Sequence, residues 1–194
     1  YHLPGPGGEL DLTACTFKAL PGGKVEVRGS RHITSPTYCV KLEGVRRTGF
    51  RTISIAGTRD PIMIQSIDPI LQAVKDQVAD ILKAEKIDGR IHFHVYGKDG
   101  VMGALEPQKK IKGHELGIVI DAVASTQEAA DSLCSISRST LLHYGYPGRI
   151  STAGNLAFPF SPSDVRMGEV FEFSIYHLMP VTGRGLFPLK VVTV

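Results

Sequence analysis

Alternation of period two runs through the first half of the chain. Val25 and Val27 alternate with Lys24, Glu26 and Arg28 after Leu20-Pro21-Gly22-Gly23, so the stretch from Glu9 to Gly29 predicts a β-hairpin. A second pair of strands is expected at Tyr38 to Leu42 and Phe50 to Ala56, flanking Glu43-Gly44, with Ile53 and Ile55 alternating against Thr52, Ser54 and Ala56. Together these strands predict one antiparallel sheet.

The period then changes to that of a helix. Asp60 followed by Pro61 reads as an N-cap with proline at the first helical position, and Ile70, Leu71, Val74, Val78, Ile81 and Leu82 recur at helical spacing. Pro69 either kinks this helix or starts it afresh with Asp68 as cap, because an interior proline loses a hydrogen bond. Ile91, Phe93 and Val95 alternate with His92, His94 and Tyr96 in a strand with one apolar face. The nearly unbroken apolar run from Glu115 to Ala124 suits a central strand. Ser125 with Glu128 has the form of a capping box ahead of Ala129, Ala130, Leu133, Cys134, Ser137 and Leu141, a second helix ending near Tyr144-Gly145. Phe171, Phe173 and Ile175 alternate in a strand from about Glu169 to Met179, and Leu189 to Thr193 predicts one more short strand.

The resulting order is β-α-β-β-α-β. It predicts an α+β fold of the ferredoxin-like, split βαβ kind: an antiparallel sheet with two helices on one face, extended by N-terminal hairpins. The expected division is 1–8 as a linker or cut edge, 9–49 as the hairpin extension, and 50–194 as the ferredoxin-like domain.

Composition narrows the function classes. A chain of 194 residues with 42% hydrophobic and 21% charged residues has ordinary globular usage, which excludes disorder and fibrous repeats. Apolar runs such as Leu116 to Ile120 fall far short of the ~20 residues a spanning helix needs, so no membrane role is expected. Cys15, Cys39 and Cys134 are odd in number and lack any Cys-x-x-Cys pair, which argues against a disulfide framework or structural zinc and for a reducing, cytoplasmic setting. The net charge of +3 is scattered, with Lys109-Lys110-Ile111-Lys112 the one local cluster and no stacking aromatic beside it. Nucleic acid is therefore not an expected partner.

Four segments carry candidate chemistry. Gly57-Thr58-Arg59-Asp60-Pro61 joins a strand to a helix, so Thr58, Arg59 and free amides could hold a carboxylate or phosphate; alternatively this is a capped turn whose Arg59 pairs with an acid. The glycine-rich loop Gly97 to Glu106, with Lys98 and Asp99, could close over a substrate or simply connect two strands. His92 and His94 share a strand face and could hold a metal with His114 or His177 as a third ligand, although such alternating polar residues are usually a solvated face. The longest candidate is His143 to Asp164. It brings His143, Arg149, Asn155 and Asp164 into one connection with an apolar Leu156 to Phe160 anchor, serving either a site or an interface. No metal ligand set is assigned, and the cofactor is unknown.

Three strings resemble the C-terminal half of the acyclic terpene utilization (AtuA-like) protein family: Ile55 through Pro61, Tyr96 through Gly103, and Gly148 through Asp164. The resemblance covers most of the chain. It implies a cytoplasmic catabolic protein connected with acyclic terpene breakdown through acyl-CoA intermediates, and it supplies no catalytic residues. Family members are longer, so the expected partner is an N-terminal α/β portion or separate subunit, the chain being a fragment, a cleaved product or a subunit. The leading expectation is a catalytic or substrate-binding half acting on a small carboxylate or acyl-CoA, of lyase, hydratase or other acyl-CoA-processing type. In it His143 or Asp164 serves acid-base roles, while Thr58, Arg59, Lys98, Arg149 and Asn155 bind substrate. The alternatives are a non-catalytic assembly domain within an oligomer, and a metal-dependent hydrolase or lyase using His92 and His94.

Overall fold

The computed structural model describes residues 1–188 and 190–192. The chain is α+β and divides into two units, Arg47–Phe171, and Tyr1–Arg46 together with Glu172–Val194. Nine strands and three helices follow one another among the described residues. In order they are β1 (His2–Gly5), β2 (Gly8–Asp11), β3 (Thr16–Leu20), β4 (Lys24–Arg28), β5 (Arg31–Thr34), β6 (Cys39–Thr58), α1 (Pro61–Gln65), α2 (Ile67–Glu85), β7 (Gly89–Tyr96), β8 (Leu116–Ala124), α3 (Gln127–His143) and β9 (Asp164–Pro180).

The β3–β4 hairpin forms as its alternation predicts, with Phe17 opposite Val27 and Ala19 opposite Val25. Three other expectations for the N-terminal part need correction. The strands do not join one sheet: β1, β2 and β5 form a three-stranded sheet, β3 and β4 a separate pair, and β6 belongs to a third sheet ordered β7-β8-β6-β9. Residues 2–5, expected within a linker, pair antiparallel with Gly8–Asp11. Glu43-Gly44 makes no turn, because β6 runs unbroken for 20 residues. Gly44 is needed for close approach instead, since a Cβ there would sit 3.3 Å from the Ile175 side chain. The expected division at residue 50 falls inside β6, and the two units also part within β9.

The main sheet places β8 at its centre, antiparallel to β6 with Ser54 opposite Ile120, and antiparallel to β7 with Phe93 opposite Ile120. Ile118, Ile120 and Ala122 of β8, Phe93 and Val95 of β7, and Thr52, Ser54 and Ala56 of β6 are all buried. They alternate with exposed or half-buried residues for most of each strand, so the buried set is a single face. Against it pack Met63 and Ile64 of α1, Ile67, Ile70, Leu71, Val74, Val78 and Leu82 of α2, and Leu133, Cys134 and Leu141 of α3.

The helix boundaries are local chemistry. Asp60 caps α1 by accepting the Ile62 amide at 2.9 Å, and Pro61 opens the helix. After Gln65 the chain restarts at Ile67, with Ser66 rather than Asp68 in the cap position; Pro69 then falls in the first turn, where its missing N–H has no intrahelical partner to lose. α3 is capped by Thr126, which accepts the Ala129 amide at 3.2 Å, rather than by Ser125. Leu189 and Thr193, the ends of the expected terminal strand, lie outside the described residues, and Lys190–Val192 between them form no strand. No helix among the described residues is long and apolar enough to cross a membrane.

Candidate functional site

The β6–α1 turn is built around Asp60. One carboxylate oxygen caps α1, and the other accepts the Tyr146 hydroxyl at 2.5 Å and the Asn155 side-chain amide at 2.6 Å. The Tyr146 hydrogen bond holds the Asp60 carboxyl below its usual range despite partial burial. Burial, and Asp60 itself, push the Tyr146 phenol upward, so it stays a protonated donor. The segment carrying Asn155 is also fastened by backbone: Gly57 and Ala157 exchange N–H···O bonds at 2.8 Å each, laying residues 155–159 beside the end of β6.

This arrangement frames a cleft of about 640 Å³ walled by Ile55, Leu156, Ala157, Phe158 and Pro159, with Thr58, Arg59, Glu115 and Asn155 as polar elements. Its lining is predominantly apolar. A second cleft of about 590 Å³ is also lined by Arg59, with Lys98, Lys109, Lys110 and His114 and one acid, Asp68. Both volumes lie within the ordinary range for small-ligand pockets, roughly 300–1,000 Å³. Arg59 is exposed, lines both clefts, and has no ion-pair or hydrogen-bond partner among the described residues. The turn is capped, then, but its guanidinium is not consumed by a neighbouring acid.

The other expected substrate-binding residues fare differently. Thr58 is buried with its hydroxyl turned to Met63 Sδ at 3.4 Å, so it contributes wall rather than a free donor. Lys98 reaches both Asp68 at 2.9 Å and Asp99 at 2.5 Å. Burial opposes its charge, but the two carboxylates outweigh that and hold the amine above its ordinary value. Arg149 donates to the carbonyls of His143 at 2.7 Å and Tyr144 at 3.2 Å, neutralising the negative end of α3. Two buried polar atoms, Arg149 Nε and Asn155 Oδ1, lack a partner among the described residues.

His143 and Asp164 are not brought together by any hydrogen bond or ion pair among the described residues. His143 is exposed at the last position of α3. Asp164 is gripped by Arg138, through Nε at 2.7 Å and Nη2 at 3.1 Å. Cys134 nearby is buried, which pushes its thiol up to about 12, so it is no nucleophile near neutral pH. A second network, Thr52, Gln127 and Arg166 around Asp131, likewise ties β6, α3 and β9 together.

His92 and His94 do share a face, with ring centroids 4.4 Å apart. Asp121 lies 3.5 Å from His94 Nε2 and is also bonded by Arg51 Nε at 2.9 Å. No group of three or more His, Cys, Asp or Glu side chains suited to a metal gathers among the described residues. His114 lines the basic cleft instead, and His177 belongs to the other unit.

What sequence reading missed was the pairing, not the residues. Asp60 was legible as a cap, but its bond to Tyr146 spans 86 positions. The Lys109-Lys110-Ile111-Lys112 cluster was visible as the one basic run, and its convergence with Arg59 was not. No known family, curated protein or solved structure matches the chain.

Proposed function

We propose that the chain is the ligand-binding portion of a catabolic protein of the acyclic terpene utilization type, built on a ferredoxin-like core and binding a carboxylate or acyl-CoA at Arg59. The supporting observation is that one guanidinium, unpartnered among the described residues, lines both an apolar cleft and a basic one. An acyl chain suits Ile55, Leu156 and Phe158; phosphate groups suit Lys109, Lys110 and His114; Arg59 meets the carboxylate of a free acid, or donates to the carbonyl oxygens of the thioester and pantetheine arm of an acyl-CoA. The order β7-β8-β6-β9, with strands and helices in the sequence β6, α1 and α2, β7, β8, α3, β9, supports the ferredoxin-like reading.

Isothermal titration with octanoyl-CoA, free CoA and octanoate tests this. The acyl-CoA is expected to bind most tightly, and Arg59→Ala to weaken it by about tenfold or more, as for loss of one charge-assisted contact. Equal affinity of wild type and Arg59→Ala, or no saturable binding, contradicts the reading.

A second reading, an assembly role within an oligomer or with an N-terminal α/β partner, is favoured by the β3–β4 hairpin. Phe17, Val25 and Val27 stand on one face at 73%, 61% and 52% exposure. Sedimentation equilibrium distinguishes it: a Phe17→Ser, Val27→Ser double variant dissociates an assembly held by that face and leaves ligand affinity at Arg59 unchanged.

A further inference from the structure

The register of the main sheet decides which backbone groups of β7 are already bonded. In an antiparallel ladder each residue turns its N–H and C=O to the same side, and successive residues turn to opposite sides. The Val95 carbonyl points away from β8, because it accepts the amides of Lys98 at 3.3 Å, Asp99 at 3.1 Å and Gly100 at 2.9 Å from the loop that follows. Ile91 and Phe93 have the same parity, so their N–H and C=O groups, with the Val95 N–H, face outward while His92, His94 and Tyr96 bond to β8. β7 is the last strand on its side of the sheet. Those outward groups meet no hydrogen-bond partner among the described residues.

Exposed edges are normally blunted by proline, a bulge or a cover, since an unpaired row of donors and acceptors invites another strand. β7 has no proline, and its pairing with β8 is uninterrupted from Gly89 to Tyr96. Beside it lies open space, a cleft of about 1030 Å³ between α2 and the loop after β7, with Leu71, Gln72 and Lys75 on one wall and Val101, Met102 and Ala104 on the other. The loop already satisfies the far end of the edge through Val95, leaving Ile91 and Phe93 as the vacant stretch.

The surroundings specify what would fit. A strand laid along β7 sends alternate side chains to opposite faces. One set meets Leu71 and Met102 beneath α2; the other lies beside His92 and His94. Lys75, whose ammonium stands 5.8 Å from the Phe93 ring centroid, and Arg90 have no carboxylate partner among the described residues, while Asp68 and Asp99 are both taken by Lys98. Lys75 and Arg90 are thus the cations near the edge left for an incoming carboxylate to meet. We infer that the free edge of β7 receives an extended peptide of alternating apolar and acidic residues as a fifth strand of the sheet. Main-chain bonds to Ile91 and Phe93 supply affinity and the two faces supply selectivity.

The test is fluorescence anisotropy of the whole chain with a labelled hexapeptide of alternating valine and glutamate. Saturable binding is expected. N-methylating the two peptide amides that face β7 should weaken it about tenfold, the cost of two backbone hydrogen bonds. Ile91→Pro should weaken it severalfold, because it deletes one outward N–H without touching the ladder to β8, and proline is tolerated on edges for that reason. Circular dichroism checks the fold of that variant, and the methylated peptide carries the test if it fails to fold. Lys75→Glu should weaken binding severalfold. Equal affinity for the methylated peptide, or no saturable binding up to millimolar peptide, overturns the proposal. So does a dimer in sedimentation that Ile91→Pro abolishes, which would make a second copy of the chain the occupant.

Discussion

Asp60 has both oxygens committed, to the α1 cap and to the Tyr146–Asn155 pair, so its removal acts twice. Asp60→Ala is expected to cost about 2–4 kcal/mol in urea unfolding, combining a lost cap with the unsatisfied Tyr146 and Asn155. Tyr146→Phe should cost only about 1 kcal/mol, since Asp60 retains its other donors. Charge at single residues also sets the pH response. Asp60 and Asp131 both titrate below 3.8 in the fold, so the unfolded chain takes up their protons first as pH falls. Their contribution is full above the ordinary carboxylate range and is lost as pH drops through the folded values. His92 acts at milder pH: burial, then His94 and Lys75, lower its pKa from 6.5, so the unfolded state is favoured as pH falls below that value. Thermal melts from pH 7 to pH 5 should show declining stability, and His92→Gln should flatten the decline.

Elements formed where the signal was local and shifted where it was not. The apolar spacing of α2, the Asp60-Pro61 start of α1 and the alternation of β3, β4 and β7 all lie within a few residues of their effect, and these elements are present. Glu43-Gly44 carried turn chemistry, yet the pairing available to β6 kept the strand extended, and Gly44 served the approach of Ile175. Ser125 with Glu128 had the form of a capping box, yet the amide geometry puts the cap one residue on, at Thr126. The long connection after α3 was legible as rich in functional groups, but their roles depended on partners far along the chain. Arg149 closes a helix end and Asp164 binds Arg138, whereas Asn155 does reach the Arg59 cleft. Asp164→Asn should therefore cost about 1.5–3 kcal/mol of stability, the range for a hydrogen bond to a charged group, and leave ligand affinity at Arg59 unchanged. Urea unfolding beside the octanoyl-CoA titration checks both halves of that statement.

Among the described residues of the whole molecule, the buried apolar ones lie within Arg47–Phe171. Ile120 is fully buried on the central strand, so Ile120→Ala should cost about 2–5 kcal/mol. The exposed Phe17 should cost no more than about 0.5 kcal/mol when changed to Ala. The same unit holds Arg59, both clefts beside it and the free edge of β7. The central claim, that Arg59 joins an apolar and a basic cleft into one ligand site, is tested most directly by amide chemical-shift mapping of the labelled chain during titration with octanoyl-CoA. The account predicts that residues 57–60, 155–158 and 109–114 shift together with one affinity. Shifts confined to other parts of the chain, or to one cleft with the other unmoved, would contradict it.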